Sequence, residues 1–284
     1  MQTRIFGRTG HASTVAIFGT AAMGKVAQEQ ADRAIQAIVQ AGVNHIDIAP
    51  SYGEAELRVA SWLKHEREKF FLGCKTTERT KNGAWQEMHR SLERMHIKTF
   101  DLYQLHAVNS HADLDKAFAP DGAIHALTQA RAEGLTRYLG ITAHGLESPS
   151  VLMRALREFD FDSVLVPINA RMFAHEGYRR DALALLKMCR ERNVGVMAIK
   201  AAAKQPWGDR PHTHAPWYEP FVQADEIQQN VNFSLSQDVT GLCTVSDVNL
   251  LPLFLQACEA FAPMNERVQA ELMRQVQEYA IIFP

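Results

Sequence analysis

The chain alternates short apolar, β-branched runs with stretches whose apolar residues recur every three to four positions. That alternation is the sequence signal for a parallel sheet covered by helices. Strand-like runs fall at residues 14–23, 45–49, 70–76, 100–108, 137–142, 163–169, 195–201 and 241–245. Helical periodicity lies between them at 30–40, 54–64, 85–95, 123–132, 150–158, 180–192 and 224–236, with closing helices at 249–261 and 266–279. In the first helix Ala31, Ala34, Ile35 and Ile38 keep the spacing and Gly42 ends it.

Eight such units favour an α/β fold of one kind, a closed (β/α)8 TIM barrel. It is expected to form a single domain over residues 1–284, with an N-terminal segment at 1–13 and a C-terminal helix at about 266–279 as additions. The competing reading, an open dinucleotide-binding sheet, needs a strand that runs into a GxGxxG turn. Gly19 and Gly24 do not have that spacing. The period breaks at 202–221, a proline-rich stretch carrying Trp207, Trp217 and Tyr218, and loops of that length are uncommon unless functional.

Composition narrows the class. With 46% hydrophobic and 22% charged residues the chain has ample apolar material for one core, and a net charge of −2 points to neither a nucleic-acid nor a membrane partner. No apolar run approaches the ~20 residues of a membrane span. The opening MQTRIFGRTG lacks an apolar signal core, so a cytoplasmic location is expected. Cys74, Cys189, Cys243 and Cys258 are scattered, without a CxxC, and read as reduced and buried. His212 and His214 lack a carboxylate at ligand spacing, so no metal is expected.

In barrels of this kind the chemistry sits at the carboxyl ends of the strands. Those ends carry Asp47 on the second strand, Lys75 on the third and His106 on the fourth, with Tyr52 in the second loop. Each alone has a bland explanation: a turn cap, a snorkelling lysine, a histidine on a backbone carbonyl, an amphipathic surface tyrosine. Together they describe an acid. A buried Asp47 requires a positive partner, and Lys75 supplies one. Lowering a phenol from about 10 to about 7 takes roughly 4 kcal/mol, and one ammonium at ~4 Å is of that order. Lys75 is therefore expected to acidify Tyr52, with Asp47 orienting Lys75 and His106 placing a substrate carbonyl. Because strand residues alternate, an inward Lys75 turns Cys74 towards the helices as a packing residue.

At these residues the chain resembles the aldo-keto reductases, and the opening RIFGRTGHASTVAIFGT resembles the bacterial branch of that family. DIAPSYGEAE resembles the family's D-x-A-x-x-Y-G-x-x-E, DLYQLHAV its strand ending in His, and RYLGIT the start of its fifth strand. The resemblance covers essentially the whole chain. It implies a (β/α)8 barrel that reduces a small aldehyde or ketone with NADPH, Tyr52 protonating the nascent alkoxide, and no metal.

The cofactor side departs from the family pattern. Gly19, Thr20 and Ala21 after the first strand are assigned to it. Thr142, Ala143 and His144 stand where relatives often carry Ser-Asn, and Leu165 stands for a glutamine, with Asn169 placed to compensate. Ile199 replaces a stacking aromatic, and Lys200 is placed for the pyrophosphate. Ser246 and Asp247 are assigned to the ribose or adenine side. Residues 211–266 contain no Lys or Arg, so the fork that holds a 2′-phosphate is missing there and NAD(H) becomes possible beside NADP(H). Two rival readings are a cofactor-binding sensor with little turnover and a lyase or isomerase using Lys75 as a Schiff base.

Overall fold

The computed structural model describes residues 1–283. Strands are numbered in chain order: β1 (Thr3–Ile5), β2 (Ala12–Thr14), β3 (Ala16–Gly19), β4 (His45–Asp47), β5 (Phe71–Thr76), β6 (Phe100–Leu105), β7 (Thr136–Thr142), β8 (Ser163–Pro167), β9 (Gly195–Ile199), β10 (Ala203–Pro206), β11 (Tyr218–Pro220) and β12 (Gly241–Cys243). The eight strands β3 to β9 and β12 close into a parallel barrel, with β12 pairing both β9 and β3. Helices separate successive strands, so the (β/α)8 expectation holds.

Two apolar layers build the barrel. The outer layer lies between strands and helices and includes Val59, Cys74, Leu139 and Val231, so Cys74 packs towards the helices as alternation requires. The inner layer fills the barrel with Ile17, Phe71, Leu102, Leu165, Met197 and Ile199. Phe6 joins it from below. A Cβ at Gly195 would come within 2.3 Å of the Phe6 ring, so the glycine makes the space that this plug occupies.

Several elements differ from the expected boundaries. Residues 1–13 contribute to a hairpin, with Thr3 opposite Thr14, that closes the barrel floor, and Arg4 ties it to the carbonyls of Val239 and Leu235. The first expected strand ends early, at Gly19, and Thr20–Met23 is a 3-10 turn. His111–Phe118 is a helix with Ser110 as its cap, between the strand at 100–108 and the helix at 123–132 where no element was expected. The stretch 202–221 holds the β10–β11 ribbon, fixed by Lys204 and Arg210 on Glu219 and by Trp207 Nε1 on the Pro216 carbonyl. The last helix ends at Gln275 and tightens into a 3-10 turn at Val276–Glu278.

Candidate active site

Asp47 is the last residue of β4 and Lys75 lies near the end of β5, side by side in the barrel mouth. Both side chains are almost wholly buried, and Lys75 Nζ lies 2.5 Å from Asp47 Oδ2. The same ammonium donates to the Ile48 carbonyl at 3.2 Å and to the Tyr52 hydroxyl at 3.1 Å. Three N–H donors thus meet three acceptors, which leaves no unsatisfied donor on a buried cation. The direction of the last bond matters. Because Tyr52 accepts from Lys75, its own proton is free to point into the cavity.

The turn that carries Tyr52 is set by backbone contact. Gly53 adopts a left-handed φ of 59°, and a Cβ there would come within 2.5 Å of the Gly24 carbonyl. A Cβ at Gly24 would come within 2.3 Å of the Tyr52 carbonyl. Glu54 N–H donates to the Gly24 carbonyl at 2.9 Å and completes the seat.

His106 directly follows β6, and its ring stands perpendicular to that of Tyr52 with centroids 5.8 Å apart. Burial, then the charge of Lys75, holds its basicity well below the ordinary histidine range, so the imidazole is neutral. Ser51 Oγ lies 3.4 Å from its Nδ1.

The acidity of Tyr52 corrects the expectation. Burial pushes the phenol up to about 12; Lys75 pulls it down, but Asp47 pushes it up again. For Lys75 itself burial lowers the basicity, and Asp47 and Tyr52 more than restore it, so it stays charged. The ammonium that was expected to acidify the phenol does lower it, but by less than burial and Asp47 together raise it. Tyr52 therefore waits protonated across the neutral range.

Two residues of the site were not anticipated. Gln104, fully buried on β6, donates from Nε2 to Asp47 Oδ1 at 3.1 Å. Cys243 places its thiol 3.9 Å from Asp47 Oδ2, and burial raises its pKa far above the ordinary range, so it is not a nucleophile. The signal for Gln104 was present: it shares the inward face with His106, two residues on, in a strand otherwise apolar inside the barrel.

A cavity of ≈60 Å³ brings the four candidate catalytic residues together with Gly19, Ala21, His144, Lys200 and Ser246 of the expected cofactor set. Leu165 and Ile199 give it an apolar wall, and Tyr218 of β11 closes one side. The other four expected cofactor residues are engaged within the protein. Thr20 donates to the Asp47 carbonyl at 3.3 Å, and Thr142 Oγ1 accepts from Ala107 N–H at 2.8 Å. Asn169 caps the short helix Ala170–Phe173 and donates to the Lys200 carbonyl at 3.2 Å. Asp247 accepts from His214 Nδ1 and from the N–H groups of Ala215 and Asn249, which ties the 202–221 stretch to the turn after β12. Among the described residues no cluster suited to a metal ion occurs, and no helix is long and apolar enough to cross a membrane.

The sequence profile of the aldo/keto reductase family matches residues 16–261, from the first barrel strand to the helix beyond the last. The chain belongs to the aldo/keto reductase family. Among curated relatives, a D-threo-aldose 1-dehydrogenase from Pseudomonas sp is 27% identical over 218 residues, which cover 64% of this chain and 63% of that one. An aldo-keto reductase from Bacillus halodurans in its holo form superposes with a TM-score of 0.74 at 20% identity, covering 99% and 98% of the two chains. One from Klebsiella pneumoniae in complex with NADPH gives 0.72 at 19% identity, covering 100% and 98%. At such identities these structures speak to the fold, which is the barrel described above.

Proposed function

We propose that this aldo/keto reductase interconverts a small carbonyl compound and its alcohol with a nicotinamide dinucleotide, Tyr52 serving as proton donor in the reducing direction. The observation that carries the reading is the Lys75 ammonium shared between Asp47 at 2.5 Å and the Tyr52 hydroxyl at 3.1 Å. That arrangement leaves a phenolic proton aimed at a cavity also lined by His106.

The dinucleotide fits the mouth of the barrel. Leu165 and Ile199 offer a flat apolar wall for a ring, His144 and Ser246 are polar groups beside it, and Gly19 keeps the first strand end low where a Cβ would meet the Thr244 carbonyl at 3.2 Å. Gly19, Ala21, His144 and Ser246 are the direct contacts. Thr20, Thr142, Asn169 and Asp247 support them from behind. The NADPH bound by the Klebsiella pneumoniae relative supports NADP(H) as one cofactor, and the absence of Lys and Arg from residues 211–266 keeps NAD(H) open as another. When bound, the nicotinamide supplies a hydride, that is, two electrons and a hydrogen nucleus.

The chain's own residues handle the oxygen. A neutral His106 donates a hydrogen bond to the carbonyl oxygen, with Ser51 selecting the tautomer through Nδ1. Negative charge that develops on that oxygen takes the Tyr52 proton and gives an alcohol. The phenolate left behind is stabilised by Lys75, which is held in place by Asp47, itself fixed by a hydrogen bond from Gln104. A sensor without turnover has no use for this arrangement, and the Asp47–Lys75 ion pair speaks against a Schiff base. The aldose dehydrogenase relative supports operation in the oxidising direction as well, with each step reversed.

Single-turnover oxidation of bound NADPH by a panel of aldehydes tests the reading. Wild-type protein is expected to react, and Tyr52→Phe to lose a factor of about 100 to 10,000 in rate, the usual range for a general acid, while still binding NADPH. A Tyr52→Phe variant with most of its rate intact would sink the assignment.

A further inference from the structure

The barrel mouth holds a cation that the proton chemistry leaves unused. Lys200 directly follows β9 in left-handed backbone, φ 70°, and Asn169 Nδ2 holds its carbonyl at 3.2 Å. A lysine reaches that conformation at a cost of about 1 kcal/mol, so the surroundings impose it. Its ammonium lies 4.7 Å from the Tyr218 ring centroid and 5.3 Å from that of Trp217. Those ring faces orient a cation without neutralising it. The carboxylates of neighbouring elements are engaged elsewhere: Asp47 with Lys75, Glu219 with Lys204 and Arg210, Asp247 with His214. Among the described residues Lys200 forms no ion pair.

The ammonium also lies on the reacting side of the site. Lys200 lines the same cavity as Tyr52 and His106. After burial, Lys200 is the main charge that depresses the basicity of His144, whose ring centroid lies 6.0 Å from that of His106. A partly buried ammonium with aromatic walls and no counter-charge among the described residues is a receptor that an anion completes. Because that cavity is also lined by Tyr52 and His106, an anion held there belongs to the molecule whose carbonyl those two residues engage.

We infer that Lys200 receives a carboxylate on the substrate, so that the carbonyl compounds taken here are oxo acids with the acid group a few bonds from the C=O. The inference rests on the carbonyl-reductase reading for the reaction, but the receptor itself is testable without turnover. Asn169, through its bond to the Lys200 carbonyl, is the positioning residue of this receptor.

Two measurements test it. Calorimetry on the protein saturated with NADP⁺ compares butanoate with 1-butanol, and steady-state kinetics compare 4-oxobutanoate with butanal. Wild-type protein is expected to favour the acid in both by about tenfold or more, the size of one charge-assisted hydrogen bond. Lys200→Met should erase the preference and Lys200→Arg should keep part of it. Equal binding of butanoate and 1-butanol by the wild-type protein overturns the inference, whether or not the variants fold. Weaker NADPH binding by Lys200→Met, with the acid preference intact, assigns the ammonium to the cofactor's phosphates and also overturns it. If neither aldehyde is reduced while butanoate keeps a Lys200-dependent advantage, the receptor stands and the reductase reading falls.

Discussion

Gln104 donates to Asp47 Oδ1 at 3.1 Å while Lys75 takes Oδ2 at 2.5 Å, so the carboxylate is held from both sides inside the barrel. A buried ion pair is a weak source of stability in itself, because desolvation offsets most of the attraction. Its value here is geometric: with Asp47 unable to rotate, Lys75 has one place to stand, and Tyr52 meets it there.

Gln104→Leu should therefore act through Asp47. The variant leaves Oδ1 without its donor, a loss of about 1–3 kcal/mol for an unsatisfied buried acceptor, read by urea unfolding. The reduction rate should fall, but less than in Tyr52→Phe, because the phenolic proton is still present. A variant as stable and as active as the wild-type protein would show that Lys75 alone orients Asp47.

Gly24→Ala tests whether the seat of Tyr52 is set by backbone contact. The new Cβ would lie 2.3 Å from the Tyr52 carbonyl, and a backbone atom cannot yield as a side chain does. The turn at Ser51–Gly53 must move, lengthening the 3.1 Å Lys75–Tyr52 bond. Because a misplacement of about 1 Å costs on the order of a hundredfold, the single-turnover rate should fall by about that factor with the fold retained. Wild-type rate in Gly24→Ala would remove Gly24 from the account.

Much of this was legible in the chain. The eight units could be read because apolar period and length separate strands from helices, and Asp47, Lys75 and His106 at the strand ends, with Tyr52 in the following loop, could be placed because the barrel fixes where strands finish. What was not legible depends on distances. The proton affinity of Tyr52 is a balance between burial, Lys75 and Asp47, and only the structure shows how deeply the phenol is buried and that burial outweighs the lysine. The internal bonds of the expected cofactor residues Asn169 and Asp247 were not legible either: one caps a helix and the other holds His214 and Ala215. Short antiparallel pairs such as β1–β2 carry too few residues to show a period.

Cofactor preference follows from charge. Arg210 is paired with Glu219, Lys204 lies near the same carboxylate, and residues 211–266 add no cation, so a 2′-phosphate meets no planar fork there. Fluorescence titration is expected to give NADPH and NADH dissociation constants within about a hundredfold of each other, a gap of less than roughly 2.8 kcal/mol. NADPH binding tighter by more than that would place an unrecognised phosphate site elsewhere on the mouth.

The pH dependence separates the proton donor from the cation. Tyr52, pushed up to about 12, and His106, held well below the ordinary range, keep their protons unchanged between pH 6 and 9, so single-turnover reduction of a neutral aldehyde should show no inflection there. Lys200 differs: burial lowers it to about 8 against the raising effect of Cys243, and the same cavity also holds the Lys75–Asp47 pair, the Tyr52 and Tyr218 phenols and the neutral imidazoles of His106 and His144. Its charge, and with it butanoate binding, should decline as pH rises through about 8, displaced upward by the bound anion itself. The sign for stability is opposite. Between about 8 and the ordinary lysine value of 10.5 the unfolded chain binds the proton that the folded one has released, so this group makes the unliganded protein more stable as pH rises across that window. Lys200→Met should flatten both trends, and butanoate binding that stays constant from pH 7 to 10 in the wild-type protein would mean that another group holds the acid.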